Sequence, residues 1–203
     1  MMLQGWAAAN DHESSLAEPA SARYPKLCEA RFLPSKIALN VSVGLLLRDS
    51  CYGTWLHGDE RGSVDRFHNQ YQAPYIPHNE RWRAHNAQAL KCAPVLLNAA
   101  QRESVEAAVR QTCALRNWLM HASNGRTNHV HVVVAIGTAR SEHALNAVKA
   151  NATRQLRQDG QWRQQQSPWA DKGSRRHLWN ARSIERAIDY VINGQGDKLP
   201  EFQ

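Results

Sequence analysis

The chain has 203 residues, of which 42% are hydrophobic and 21% are charged, a composition that fits a globular domain and excludes wholesale disorder. It carries 25 Lys and Arg against 18 Asp and Glu, and the resulting formal charge of +7 favours a polyanionic partner. The longest apolar-rich run, residues 37–47, is too short to span a membrane, and the cysteines form no Cys-x-x-Cys pair. We therefore expect a cytoplasmic protein without a membrane partner.

The first strand pattern follows an extension of little periodicity. Residues 1–45 are predicted to form this poorly defined N-terminal extension, residues 46–196 the folded domain, and residues 197–203 a C-terminal tail. Apolar residues alternate with other residues from position 41 to 47, and the β-rich run 51–57 continues the strand prediction. Residues 64–97 hold three prolines and few periodic apolar positions, which predicts a long loop.

A helix and two strands are predicted next along the chain. Asn98 is followed three residues later by Gln101, which predicts a capping box at the start of a helix. One face of that helix is predicted to carry Val105, Val109, Thr112 and Leu115. Residues 118–122 then predict a strand, residues 123–125 a turn, and residues 128–135 a buried central strand.

Helical periodicity returns after the central strand. Leu145, Val148, Ala152 and Leu156 share one helical face, with Ser141 as the predicted cap. A weak strand is predicted near residues 177–179, and a last helix over 182–192 ends at Gly194. This order predicts an α+β sandwich with helices packed on one side of a small antiparallel sheet.

Positive charge is concentrated between residues 149 and 186. This stretch contains nine basic and three acidic residues, together with Trp162, Trp169 and Trp179. Cations can neutralise phosphates and indoles can stack on unpaired bases, so the stretch could bind nucleic acid. A solvated helix face with tryptophans in the core would have the same composition.

The most informative motif is His129-Val130-His131. Side chains alternate across a strand, so the two imidazoles project to the same face and lie close enough to hold one divalent cation. Two neutral imidazoles suit Mn or Zn, and Mg could bind with additional oxygen ligands. The pattern also fits two histidines on a half-exposed strand that bind no metal.

Tyr190 lies on the last helix, directly after the basic stretch and 59 positions beyond His131. A tyrosine hydroxyl is a poor nucleophile at neutral pH because its pKa is near 10. Its attack becomes feasible on a phosphodiester that a metal polarises within an electropositive site. The same position also fits an amphipathic tyrosine that only packs the helix against the sheet.

Together these motifs resemble the IS200/IS605-like transposases, which are single-tyrosine HUH endonucleases and include relatives associated with repeated extragenic palindromes. His129-Val130-His131 matches the His-hydrophobe-His motif, residues 52–58 look like the family's opening strand, and residues 188–193 look like its nucleophile helix. The resemblance covers roughly residues 51–196 and leaves the first 45 or so residues unexplained.

This resemblance implies a ferredoxin-like α+β fold, with the tyrosine on the C-terminal helix, that often dimerises. It implies an enzyme that cuts single-stranded DNA beside a hairpin with the help of Mg or Mn. His129 and His131 would hold the metal ion, and Tyr190 would form a 5′-phosphotyrosine link and release a 3′-hydroxyl. Reversal of that step would transfer the strand without ATP.

The third metal ligand is the point at which this chain departs from the family pattern. The family commonly supplies it about one helical turn after the tyrosine, where this chain has Gly194. We expect Asn193 to replace it, while Gln195, Asp59 and His57 remain open as substitutes. Given the motif, DNA contacts are expected from five arginines of the basic stretch: Arg154, Arg157, Arg163, Arg175 and Arg176.

Two other functions remain open at this point. The first is a non-catalytic DNA- or RNA-binding module on the same fold, whose histidines have only a structural role. The second is a small hydrolase in which a histidine-bound metal activates water and no covalent intermediate forms.

Overall fold

The computed structural model describes residues 43–65 and 74–196, which belong to one compact unit that spans residues 39–203. Most of the predicted N-terminal extension, and the whole predicted tail, lie outside the described residues. The helices and strands are β1 (Gly44–Ser50), α1 (Glu80–Gln88), α2 (Ala99–Leu115), β2 (Leu119–Gly125), β3 (His129–Ala135), α3 (Ser141–Gln158), β4 (Ser174–Leu178) and α4 (Ala181–Asn193).

The four strands form one antiparallel sheet in the order β2-β3-β1-β4. With α2 between β1 and β2, and α3 between β3 and β4, the chain follows the β-α-β-β-α-β path of ferredoxin-like folds. The predicted α+β class and the central position of the histidine strand are confirmed. In the register of β1 with β3, Arg48 pairs with His131 and Ser50 with His129.

Both faces of the sheet are covered by helices. On one face α2 and α3 bury the larger core, to which β1 and β3 contribute Leu45, Leu47, Val132 and Val134. The other face carries a smaller cluster in which Val133 and Leu178 pack against Ala187 and Val191 of α4. The prediction that the helices lie on one side therefore holds for α2 and α3 and is wrong for α4. Because β3 is buried on both faces, its second face also needs a cover.

The helix predictions hold, with changes at their ends. Asn98 and Gln101 form the predicted capping box of α2, but Leu115 at the other end is 73% exposed. The cap residue of α3 is Arg140, and Ser141 is the first helical residue. Among the helices of the described ranges, none has the length and apolar character needed to cross a bilayer.

Several short segments differ from the sequence-based prediction. Residues 51–57, predicted as a strand, form turns after a single bridge between Cys51 and Trp169. Gly53 adopts a φ of 72° there, a conformation that suits a turn and not a strand. β2 continues through the predicted turn at 123–125, and α1 occupies part of the predicted loop.

Candidate metal and nucleophile site

His129 and His131 project from β3 onto the face that α4 covers, because they alternate with Val130 and Val132 of the larger core. Their ring centroids lie 4.7 Å apart in an edge-to-face arrangement. His131 is only 2% exposed, and its Nδ1 is buried without a hydrogen-bond partner among the residues that the structure describes. The predicted convergence of the two imidazoles is therefore present.

Tyr190 joins this group from α4. Its ring centroid lies 5.4 Å from that of His131, at an interplanar angle of 71°, and the residue is 44% exposed. Apolar contacts of Ala187 and Val191 hold the helix on the sheet, and the Asn124 amide donates a 2.8 Å hydrogen bond to the Val191 carbonyl. A single chain thus brings the tyrosine beside the histidines while leaving the tyrosine open to solvent.

The segment that follows α4 supplies a third polar side chain. Gln195 places Oε1 3.0 Å from His129 Nε2, while its Nε2 donates to the Tyr190 carbonyl at 3.1 Å. That second bond fixes which end of the amide faces the imidazole. Gln195 therefore lies beside the His129 ring and favours the charged form of the neighbouring His131.

The predicted third ligand, Asn193, does not reach this group. Its amide donates to Asp189 Oδ1 at 2.8 Å on the exposed side of α4. His57 and Asp59 have partners away from the histidines, since His57 stacks on Trp82 and Asp59 pairs with Arg61. Gln195 is the predicted ligand that the fold brings to the histidines.

Burial keeps both imidazoles neutral. Desolvation lowers the pKa of His131 to about 3, assisted by the neighbouring His129 and by the positive charge of Arg48. The pKa of His129 is lowered for the same main reason, while its bond to Gln195 acts in the opposite direction. Neutral imidazoles have a free lone pair, which is the form that binds metal ions.

Each ring nitrogen of His129 lies beside an amide oxygen. Nδ1 lies 2.7 Å from Asn128 Oδ1, and in the tautomer with the proton on Nδ1 the ring donates to that oxygen. The Nε2 lone pair then faces the Oε1 lone pairs of Gln195 at 3.0 Å. Two acceptor atoms this close, the His129 nitrogen and the Gln195 oxygen, attract a cation. Neighbouring ligand atoms that lie about 2.1 Å from an octahedral ion are separated by about 3 Å, which is the spacing of these two atoms. The donor set of two imidazoles and an amide oxygen therefore fits a divalent metal ion.

Within the described ranges, no three His, Cys, Asp or Glu side chains form a group that could hold a metal ion. The candidate site has two histidines, and its third donor is an amide of a different residue type. The sequence signal for this amide was the position of Gln195, five residues after Tyr190. The direction of the Gln195 side chain is known only from the path of the chain beyond Gly194.

The five predicted DNA-contacting arginines are divided between the faces of the sheet. Arg154 and Arg157 lie on α3, on the opposite side from Tyr190, and bond to Asn151 Oδ1 and to the Gln165 carbonyl. Arg175 lies near Glu142 of α3, and Arg163 is exposed in the following loop. Arg176 alternates with Arg175 and shares the α4 face with Leu178. Of the five, Arg176 therefore lies on the same face as the histidines.

The predicted tryptophan platforms are also separated. Trp162 and Trp169 are buried in the larger core, and Trp169 Nε1 lies 3.1 Å from Thr153 Oγ1. Trp179 is 56% exposed and stacks on His177 just before α4. Of the three tryptophans offered for base stacking, Trp162 and Trp169 do not suit that role because their rings fill the core, as the alternative of core tryptophans expected.

The solved structures that are similar to this chain include two transposases. One is a REP-associated tyrosine transposase bound to a REP hairpin, with 10% identity and a TM-score of 0.42 over 78% of this chain and 70% of that chain. The other is a candidate transposase from Deinococcus radiodurans R1, with 10% identity and a TM-score of 0.40 over 81% of this chain and 100% of that chain. No family model and no curated protein sequence matches the chain. Both similarities are distant, and neither assigns a role to an individual residue.

Proposed function

We propose that the protein is a metal-dependent tyrosine transposase that cuts and rejoins single-stranded DNA. The observation that carries this proposal is the convergence of His129, His131, Gln195 and Tyr190 on one face of the sheet. A tyrosine that only packed α4 against the sheet would not need two neutral imidazoles and a facing amide oxygen at its ring.

The residues have distinct parts in the proposed reaction. When bound by His129, His131 and Gln195, a Mg or Mn ion would supply positive charge that polarises a phosphodiester. The Tyr190 oxygen forms a bond to phosphorus and gives up its proton, while the bond from phosphorus to the 3′-oxygen breaks and that oxygen takes up a proton. The products are a 5′-phosphotyrosine link and a free 3′-hydroxyl. The covalent link conserves the phosphodiester bond, so the reverse attack can join a strand without ATP.

A single protomer supplies every side chain that this reaction uses. Tyr190 and both histidines come from the same chain, with the tyrosine ring in contact with His131. The proposed chemistry therefore does not need the predicted homodimer, which stays a prediction.

Covalent trapping tests the proposal. The full chain is incubated with Mn²⁺ and a pool of single-stranded DNA in which one hairpin is flanked by randomised arms, and adducts resistant to SDS are counted. We expect an adduct in the wild type, and none after addition of chelator or in Tyr190→Phe. Tyr52→Phe is the matched control, because the Tyr52 hydroxyl accepts the Lys91 N–H on the other side of the molecule.

Two results would contradict the proposal. An adduct that persists in Tyr190→Phe would assign the attack to a different residue. Salt-dependent DNA binding without any adduct, unchanged by chelator and by His129→Ala, would support the non-catalytic binding module instead.

A further inference from the structure

The sheet places the charged residue Arg48 next to the candidate site. In the register of β1 with β3 it is directly opposite His131, and residues opposite each other in an antiparallel pair share a face. Its positive charge contributes to the low pKa of both His129 and His131, and it interacts electrostatically with Tyr190. The guanidinium therefore lies within electrostatic range of all three residues.

The orientation of Arg48 is set by Trp55. The guanidinium carbon lies 4.1 Å from the centre of the indole ring, a cation–π contact, and the indole Nε1 donates a 2.7 Å hydrogen bond to the Gly62 carbonyl. Arg61 approaches the same ring at 5.1 Å, but its charge is paired with Asp59 at 2.7 Å. Arg48 is thus held over a fixed ring, while the charge of Arg61 is paired with Asp59.

The hydrogen-bonding capacity of Arg48 is incompletely used. Its Nε is buried and has no hydrogen-bond partner among the residues that the structure describes. Such a group is costly to bury, so an unpaired guanidinium nitrogen in a native fold calls for an explanation. Arg48 also lines a cleft of about 1040 Å³, together with Trp55, Ser174 and Lys172. None of His129, His131, Gln195 and Tyr190 is in that lining, so Arg48 lies between the cleft and the candidate site.

We infer that Arg48 binds the phosphodiester that Tyr190 attacks, through hydrogen bonds from its guanidinium to the two non-bridging oxygens. The planar fork of arginine matches two phosphate oxygens, and charge-assisted bonds of this kind strengthen as negative charge builds up on the phosphate. This inference rests on the proposed function, because it names the group that orients the substrate of the same site. The neighbouring Arg176 and Lys172 would contact flanking phosphates only.

The test separates phosphate binding from the chemistry. Binding of the fluorescein-labelled hairpin pool is measured by anisotropy at several salt concentrations, in the unreactive Tyr190→Phe background. Each phosphate contact to a single strand contributes about 0.7 to the slope of log K against log salt. We expect Arg48→Gln to reduce that slope by about 0.7 and, with Tyr190 restored, to slow adduct formation about 100-fold.

Two variants control for charge and for folding. Arg110→Gln removes the same charge from an exposed position on α2, and should leave slope and rate unchanged. Arg48→Lys retains the charge without the planar fork, so it should restore the slope while adduct formation stays about 10-fold slow. Circular dichroism verifies that each variant is folded.

An unchanged salt slope in Arg48→Gln would overturn the inference, and so would a reduced slope with wild-type adduct formation. If the wild type forms no adduct, the proposed function fails, while the salt slope still decides whether Arg48 contacts a phosphate.

Discussion

Asn193 and Gln195 lie two residues apart at the end of α4, yet their side chains have different partners. Asn193 bonds to Asp189 of its own helix, whereas Gln195 places its oxygen 3.0 Å from His129 Nε2. The helix ends between them, since Gly194 is its C-terminal cap. Gln195 is the first residue after that cap, and its side chain faces β3.

This difference predicts opposite outcomes for two alanine variants. Gln195→Ala removes a candidate ligand and should weaken Mn²⁺ binding by about 10-fold or more, measured by isothermal titration calorimetry. Asn193→Ala should bind Mn²⁺ like the wild type. A loss of affinity in Asn193→Ala alone would restore the sequence-based choice of third ligand.

The partner of His129 offers a second test of the metal site. Asn128 Oδ1 lies 2.7 Å from His129 Nδ1, and a hydrogen bond donated by Nδ1 to this oxygen would keep the ring lone pair on Nε2. Asn128→Ala should lower Mn²⁺ affinity by about 10-fold to 100-fold, because outer-shell acceptors fix the tautomer and the ring orientation of metal-binding histidines. Asn128→Asp retains an acceptor and should bind at least as tightly as the wild type. Equal affinity in all three proteins would exclude this role.

Asp49 predicts a pH dependence of folding. It is 4% exposed, and burial raises the pKa of its carboxyl group to about 7 although Lys149 Nζ lies 3.2 Å away. Between pH 4 and 7 the native state therefore binds more protons at this residue than the unfolded state does. Its contribution to stability is fully present below about pH 4 and is lost as the pH rises through 7, on the order of 4 kcal/mol in total.

The measurement must compare two proteins, because His131 acts in the opposite direction. Its lowered pKa means that stability is lost as the pH falls from 6.5 toward 3. Urea unfolding of the wild type and of Asp49→Asn at a series of pH values isolates the carboxyl group. We expect the free energy of unfolding of Asp49→Asn, relative to that of the wild type, to increase as the pH rises. A difference that is constant from pH 4 to 8 would contradict this expectation.

The two capping boxes predict a separation of stability from activity. Asn98 caps α2 and Asn180 caps α4, and each accepts a hydrogen bond from the third backbone N–H of its helix. Replacing either with alanine should cost about 1 kcal/mol of unfolding free energy. Only Asn180→Ala should also slow adduct formation, because α4 carries Tyr190. Equal rates in both variants would show that the cap does not influence the tyrosine.

Helices and strands with a clear apolar period could be predicted from the sequence. Features that depend on segments without such a period could not. β3, α2, α3 and α4 carry clear apolar patterns, and alternation alone places His129 and His131 on one face. The pattern of β3 does not show which helix covers which face, because valines occur on both faces. The position of α4 therefore had to come from tertiary packing.

Two local misassignments have simple physical causes. α1 has no buried residue, so it lacks the apolar stripe by which a helix is predicted. Residues 51–57 are rich in aromatic and β-branched types, but those residues serve a packed turn, in which Thr54 Oγ1 donates to the Cys51 carbonyl at 2.8 Å. Composition alone does not distinguish a strand from a packed turn that is built of the same residue types.

The unequal cores on the two sides of the sheet give the halves of the site different dynamics. Val130, Val132 and Val134 anchor the histidine strand in the larger cluster, whereas Ala187 and Val191 are the fully buried contacts of α4 in the smaller one. Amide hydrogens of β3 should therefore exchange only on global unfolding, and those of α4 through a cheaper partial opening. In the proposed reaction the two imidazoles therefore stay in place. The helix α4, which carries Tyr190, can move away from the sheet to admit or release a DNA strand.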